Sequence, residues 1–338
     1  MYKKFLHGFY NLMSLEEIEV GKTEKNLILQ EDSVKLYHYS PIKENVNKIP
    51  VLITYSFVNR PSILDLDDEH SLIKRLLEAG LDIYLIDWGT PDYIDKFCSL
   101  DDYINIYIDK CVDTVLSSQN IKKLNLLGIC QGATLNAIYA ALYPKKVQNL
   151  ISLGMPFDFD IEDSLLFKWN KFNNVDDFVD SFGLIPGSLI TSGILMVNPL
   201  EYIYGRYMEF LKNIDDNTSV KYFLRLDKWL NDTPDQPGEM YRDFTKNLYV
   251  ENKLAKNKLV LGDRLVNMKN IKMPVLCANG SNDKIVPSSS TRPFMKAIGS
   301  KDTIFVEYPV DHVDLFISPE NSKDMVPFIC NWLNHRSK

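Results

Sequence analysis

Gly128-Ile129-Cys130-Gln131-Gly132 lies between an apolar run at 124–127 and a helix-like run at 133–142. That order constrains the fold more than any other feature of the chain. A strand must hand over to a helix within a turn so tight that its central residue takes a strained backbone conformation, projecting its side chain from the sheet edge. The flanking glycines leave room for the backbone to pass close to the helix. The central residue is a cysteine, and a thiolate that attacks a thioester exchanges one thioester for another. The acyl group therefore stays activated for transfer to an alcohol.

Elsewhere apolar runs and breakers alternate in an α/β rhythm. Strands are expected at 34–39, 51–55, 83–86, 124–127, 150–153, 275–278 and 304–308, with helices at 72–78, 101–116, 134–142 and 323–334. Short apolar strands joined by amphipathic helices imply a mostly parallel sheet covered on both faces. The rhythm stops between about Pro156 and Asn267, a segment rich in aromatic and charged residues such as Phe157, Trp169, Tyr202, Trp229 and Tyr249. It reads as a mainly helical insertion at the position of a cap or lid. The expected division is 1–155 for the first part of the core, 156–267 for the cap and 268–338 for the second part of the core. A helical subdomain that only adds stability would have the same composition.

The 338 residues are 45% apolar and 25% charged, ordinary for a chain with a sizeable core. A formal net charge of −7 argues against general nucleic-acid binding. The cysteines (Cys98, Cys111, Cys130, Cys277 and Cys330) are odd in number and include no C-x-x-C pair. Free thiols in a reducing compartment are expected, with neither a disulfide framework nor a zinc site. No stretch has the length and apolarity of a membrane span. Lys3, Lys4 and His7 interrupt the first thirteen residues, so no signal peptide is expected there. Phe5, Phe9, Leu12 and Met13 could form one face of a short amphipathic helix, expected to dock on the core of this chain or of a partner rather than to anchor in a membrane.

A cysteine nucleophile needs a base within hydrogen-bond reach and a group to orient that base. Of His7, His38, His70, His312 and His335, only His312 follows a late strand. Asp283 falls on the loop after the penultimate strand, so the order Cys130, Asp283, His312 fits a nucleophile–acid–base set. Singly, each has a plain structural reading: buried thiol, turn aspartate, capped surface histidine. His312 can take the Cys130 proton, and the positive end of the following helix favours negative charge on sulfur. The oxyanion of an attacked thioester needs two donors. The Gln131 backbone N–H is one, and the loop after strand 51–55 should supply the other.

The residues around these positions resemble a known family. Leu127–Gly132 looks like the lipase-like box of poly(3-hydroxyalkanoate) synthases, which belong to the α/β-hydrolase superfamily. The run from Tyr55 to Leu66 (Tyr-Ser-Phe-Val-Asn-Arg-Pro-Ser-Ile-Leu-Asp-Leu) and Asp87-Trp88-Gly89-Thr90-Pro91 match two further blocks. The stretch from Lys228 to Glu239 resembles the class III, two-subunit branch in particular. The likeness runs from about residue 34 to 336. It implies an α/β-hydrolase fold and polymerisation of (R)-3-hydroxyacyl-CoA, with 3-hydroxybutyryl-CoA expected, into polyester with release of CoA. By this resemblance Cys130 carries the growing chain, His312 activates it, and Asp283 helps activate the 3-hydroxyl of the incoming unit. Val58 matches the second oxyanion donor. The resemblance also implies a homodimer working with a separate small subunit, at the surface of cytoplasmic polyester granules, with no metal or redox cofactor. The chain lacks the long N-terminal extension of single-subunit synthases, which points to class III or IV.

Two departures stand out. Ala133 replaces the family's second glycine after Cys-Gln, a change that a helix start should tolerate. The family's Gly-His-x-Gly reads Asp311-His312-Val313-Asp314. These carboxylates could raise the pKa of His312 or share in orienting it, but solvent-facing positions are the favoured expectation. Two other functions stay open: a thioesterase or intracellular polyester depolymerase with the same residues, and a non-catalytic granule-bound scaffold.

Overall fold

Along the strand that leads into the cysteine turn, side chains divide between two cores. Leu124 and Leu126 pack on one face of the sheet, Leu127 and Ile129 on the other, and all are fully buried. A strand buried on both faces is the signature of a parallel sheet sandwiched by helices. The computed structural model describes residues 20–42, 47–172 and 174–336. The expected helix face of Phe5, Phe9, Leu12 and Met13 lies outside the described residues.

Eight strands form the central sheet: β1 (Lys25–Glu31), β2 (Val34–Tyr39), β3 (Val51–Thr54), β4 (Ile83–Asp87), β5 (Leu124–Ile129), β6 (Val147–Leu153), β7 (Val275–Gly280) and β8 (Thr303–Tyr308). Their spatial order is β1-β2-β4-β3-β5-β6-β7-β8. β2 is antiparallel to β1 and β4, and every pairing from β4 through β8 is parallel. Helices Asp109–Ser118 and Gln131–Leu142 cover one face; Leu72–Glu78 and Pro319–Asn334 cover the other. This is the α/β-hydrolase fold, as expected.

The expected core strands are all present. β1 was not anticipated. It is an edge strand with mostly exposed side chains, so its apolar signal is weak. The helix expected at 101–116 is in fact composite. A π-helical stretch, Tyr103–Ile108, leads into Asp109–Ser118. The last helix starts at Pro319, earlier than expected, because the Ser318 side chain caps it by accepting from the Asn321 N–H.

Between β6 and β7 the chain forms the helical lid. Its longest helix, Asn217–Asn231, is capped by Asp216, which accepts from the N–H groups of Thr218 and Ser219. A two-residue strand pair, Leu184–Ile185 with Gln236–Pro237, ties together two parts of this region about fifty residues apart.

Candidate active site

Cys130 sits directly after β5 with φ 54° and ψ −125°. A non-glycine residue rarely adopts this region, and it persists here because both flanks are fixed. The Cys130 N–H donates to Leu153 O at 2.9 Å, and the Ala133 N–H donates to Cys130 O at 3.0 Å. A Cβ on Gly128 would stand 2.3 Å from Ala133 Cα, and one on Gly132 2.1 Å from Thr54 O. The two glycines thus serve different approaches: Gly128 admits the helix to its own strand, and Gly132 admits it to β3. Ala133 is fully buried at the helix start, and its methyl replaces the family's glycine there.

His312 follows β8 and Asp283 follows β7, so parallel pairing brings both to the sheet edge that carries Cys130. His312 Nδ1 lies 2.5 Å from Asp283 Oδ2. Asp283 Oδ1 accepts from the Ile285 and Val286 N–H groups, each at 2.8 Å, and its side chain is fully buried. The Cys130 sulfur is also within hydrogen-bond reach of His312, and with Nδ1 committed, Nε2 is the ring nitrogen left for it. Burial of the imidazole opposes a positive charge. The electrostatic and hydrogen-bonding influence of Asp283 and Cys130 beside it outweighs that and raises the His312 pKa well above its ordinary value.

One residue of this arrangement escaped sequence reasoning. Gly154, after β6, has φ +59°, and a Cβ there would come within 3.0 Å of His312 Cε1. Gly154→Ala is expected to displace the imidazole and lower turnover at least about tenfold, with a smaller change in KM, as steady-state kinetics would show. The available signal was a glycine directly after a buried strand.

The loop after β3 closes the site from the other side. Gln131 Oε1 accepts from Ser56 Oγ at 3.1 Å and from the Phe57 N–H at 3.3 Å, and the Val58 N–H donates to Ser56 Oγ at 2.9 Å. Val58 and Gln131 both border the cavity that holds Cys130. Asn59, at φ 60°, donates to Trp229 O, Leu230 O and Thr233 Oγ1, while Trp229 Nε1 donates to Arg60 O at 2.8 Å. Arg60 also pairs with Asp232 at 2.8 Å and donates to Thr90 Oγ1 at 3.0 Å. Trp88 stacks on Phe57. Three sequence blocks far apart in the chain therefore meet at one loop.

The cavity over Cys130 has a volume of about 280 Å³ and is walled largely by apolar residues, with Glu201, Arg206, Asp311 and Asp314 as its charged members. The solvent-facing expectation for Asp311 and Asp314 is thus corrected: both border the cavity. Asp311 Oδ1 caps the short helix Asp314–Ile317 by accepting from the Asp314 N–H at 2.9 Å, and that helix buries Leu315, Phe316 and Ile317. Packing of those three side chains draws the acidic loop inward.

Burial, reinforced by Asp311 and opposed by His70, raises the Asp314 carboxyl to about 6. Between the ordinary carboxylate value and about 6, the native state holds a proton that the unfolded chain has released. Stability therefore falls as pH rises through that window and stays lower above it. Asp314→Asn should stabilise the fold by about 1 kcal/mol at about pH 8 and be nearly neutral at about pH 4, as urea titration would show.

Comparison with known proteins agrees with this geometry. Residues 50–319 match the family described as alpha/beta hydrolase fold, and residues 13–76 match the one described as Poly-beta-hydroxybutyrate polymerase (PhaC) N-terminus. The chain is 39% identical to a poly(3-hydroxyalkanoate) polymerase subunit PhaC of Synechocystis sp., over 99% of this chain and 91% of the relative. It is also 39% identical to the subunit of the same name from Allochromatium vinosum, over 99% and 95%. The chain belongs to the PhaC family. It is thus an enzyme of the polyester synthase and hydrolase type. A Thermogutta terrifontis esterase structure superposes with a TM-score of 0.55 at 14% identity, covering 94% of this chain and all of that one, a likeness of fold alone.

The remaining reactive residues of this PhaC-family chain have structural settings. Burial pushes the thiols of Cys111 and Cys277 up to about 12 and that of Cys330 to about 11, which suppresses thiolate formation. His38 lies 2.6 Å from Asp82, and His70 lies 2.8 Å from Asp67 and stacks on Tyr222. Among the described residues no cluster of three or more His, Cys, Asp or Glu could hold a metal, and no helix is long and apolar enough to cross a membrane.

Proposed function

We propose that this chain condenses (R)-3-hydroxyacyl-CoA, 3-hydroxybutyryl-CoA among them, into polyester through a thioester on Cys130. The observation that carries the reading is a strained cysteine within reach of a buried, aspartate-paired histidine, inside a cavity shaped for an acyl group. His312 takes the Cys130 proton, and the sulfur attacks the thioester carbonyl. The N–H groups of Gln131 and Val58 receive the oxyanion, Val58 exchanging its bond to Ser56 for one to substrate. Collapse breaks the bond to CoA, whose sulfur leaves with the proton from His312.

The acyl group now on Cys130 is attacked by the 3-hydroxyl of another unit. His312 removes the hydroxyl proton and returns it to the departing sulfur, so one ester bond forms as one thioester bond breaks. Both Asp283 oxygens are engaged, which suits a carboxylate that acts on the hydroxyl through His312. Residues 156–267 serve as the cap that keeps water out. The working form is a homodimer with a small partner subunit at the surface of cytoplasmic polyester granules.

Purified protein given (R)-3-hydroxybutyryl-CoA should release CoA together with insoluble polyester, and faster with a PhaC-partner small subunit present. Free 3-hydroxybutyrate as sole product in the presence of that subunit would overturn the synthase reading.

A further inference from the structure

A second cavity lies beside the first. It encloses about 300 Å³ and shares Val58, Gln131, Leu166, Ile194 and Tyr249 with the cavity that holds Cys130. Its remaining walls include Phe57, Ile185, Ile190, Met240 and Phe244, and no charged side chain borders it. The Cys130 cavity, by contrast, carries four charged members.

Gln236 also borders the second cavity. It is 5% exposed, held by the short strand pairing with Ile185, yet its Nε2 donor is buried with no partner among the described residues. An unpaired buried amide costs on the order of 1–3 kcal/mol, so it marks a place where an acceptor is missing. An apolar chamber with a single orphaned donor and no charge suits a chain of uncharged groups with carbonyl acceptors. It repels a phosphorylated one, since burying an unpaired charge there would be far costlier.

We infer that this chamber holds the oligoester end of the acyl chain carried on Cys130, with Gln236 Nε2 donating to an ester carbonyl. The assignment rests on the synthase reading above. It gives the two cavities separate occupants: the polar-edged one admits the incoming CoA thioester, and the uncharged one receives the chain already made. Gln131 stands between them, one residue after the nucleophile.

The test is fluorescence titration of Cys130→Ala protein, which cannot cleave the ligand, with the methyl ester of a linear 3-hydroxybutyrate trimer. Trp169 borders the chamber and not the Cys130 cavity, so its emission reports occupancy. A saturable change is expected that disappears in Trp169→Phe. Gln236→Leu should weaken binding about fivefold, the worth of one hydrogen bond between neutral groups. Ile190→Trp, which fills the chamber, should abolish it.

A comparison of ligands gives a second, independent readout. The trimer ester should bind more tightly than a hydrocarbon of the same length, and Gln236→Leu should erase that preference. Equal binding of ester and hydrocarbon, or undiminished binding in Ile190→Trp, overturns the inference. The two failures are distinguishable. Polymer formation without chamber binding removes the chamber alone, whereas free acid as sole product removes the synthase reading and the chamber's occupant with it.

Discussion

Cys130→Ala is expected to lower CoA release from (R)-3-hydroxybutyryl-CoA by about 10⁴-fold or more, and to leave no acyl group bound to the protein. The size of the effect follows from the chemistry. Covalent catalysis divides the transfer into two steps, and without the sulfur neither His312 nor the backbone donors have an intermediate to act on. Alanine keeps the Cβ and demands no new space, so the thermal transition should move little. That separates lost chemistry from lost fold. Turnover at the wild-type rate in the alanine variant would remove Cys130 from the reaction, and residual acylation of another thiol would appear by intact-protein mass spectrometry.

The second large effect concerns stability. Gly132→Ala would place a methyl 2.1 Å from Thr54 O and 2.6 Å from Thr54 C, both atoms of a central strand. No flexible side chain can yield there, so the helix or β3 must shift. The expected cost is about 3–5 kcal/mol, toward the upper end for a single substitution. Urea titration should show a midpoint lowered in proportion, with an unchanged slope. Ala133→Gly is the informative control. It restores the family's residue at a position where alanine already fits, and it should cost only about 1 kcal/mol through helix propensity. A tolerant Gly132→Ala would mean that the close approach of helix and strand is not required.

Much of this arrangement was legible in the sequence because its signals are local. The doubly buried strands announce themselves as apolar runs, and glycines spaced around a nucleophile announce the turn. Cys130, Asp283 and His312 each follow a strand, so the order of strands alone was enough to bring them to one edge. What was not legible depends on tertiary packing. Gly154 seats the imidazole only because β6, β7 and β8 lie side by side in the sheet, so that the loop after β8 reaches the end of β6, which no local pattern states. Asp311 and Asp314 face inward because Leu315, Phe316 and Ile317 draw their loop down, a preference that outweighs the polarity on which a solvent-facing expectation rests. β1 went unread because an exposed edge strand has little apolar alternation to betray it.

The bonds from Asn59 and Arg60 to the end of helix Asn217–Asn231 bear on how such proteins can be recombined. Residues 57–61 and residues 228–233 form a clasp whose halves come from opposite sides of the lid boundary. A chimera that imports a foreign lid alone inherits one half of that clasp and leaves Asn59 with nothing to hold. The unit of exchange is therefore discontinuous: a lid carries its specificity into a new scaffold only if its short partner loop moves with it.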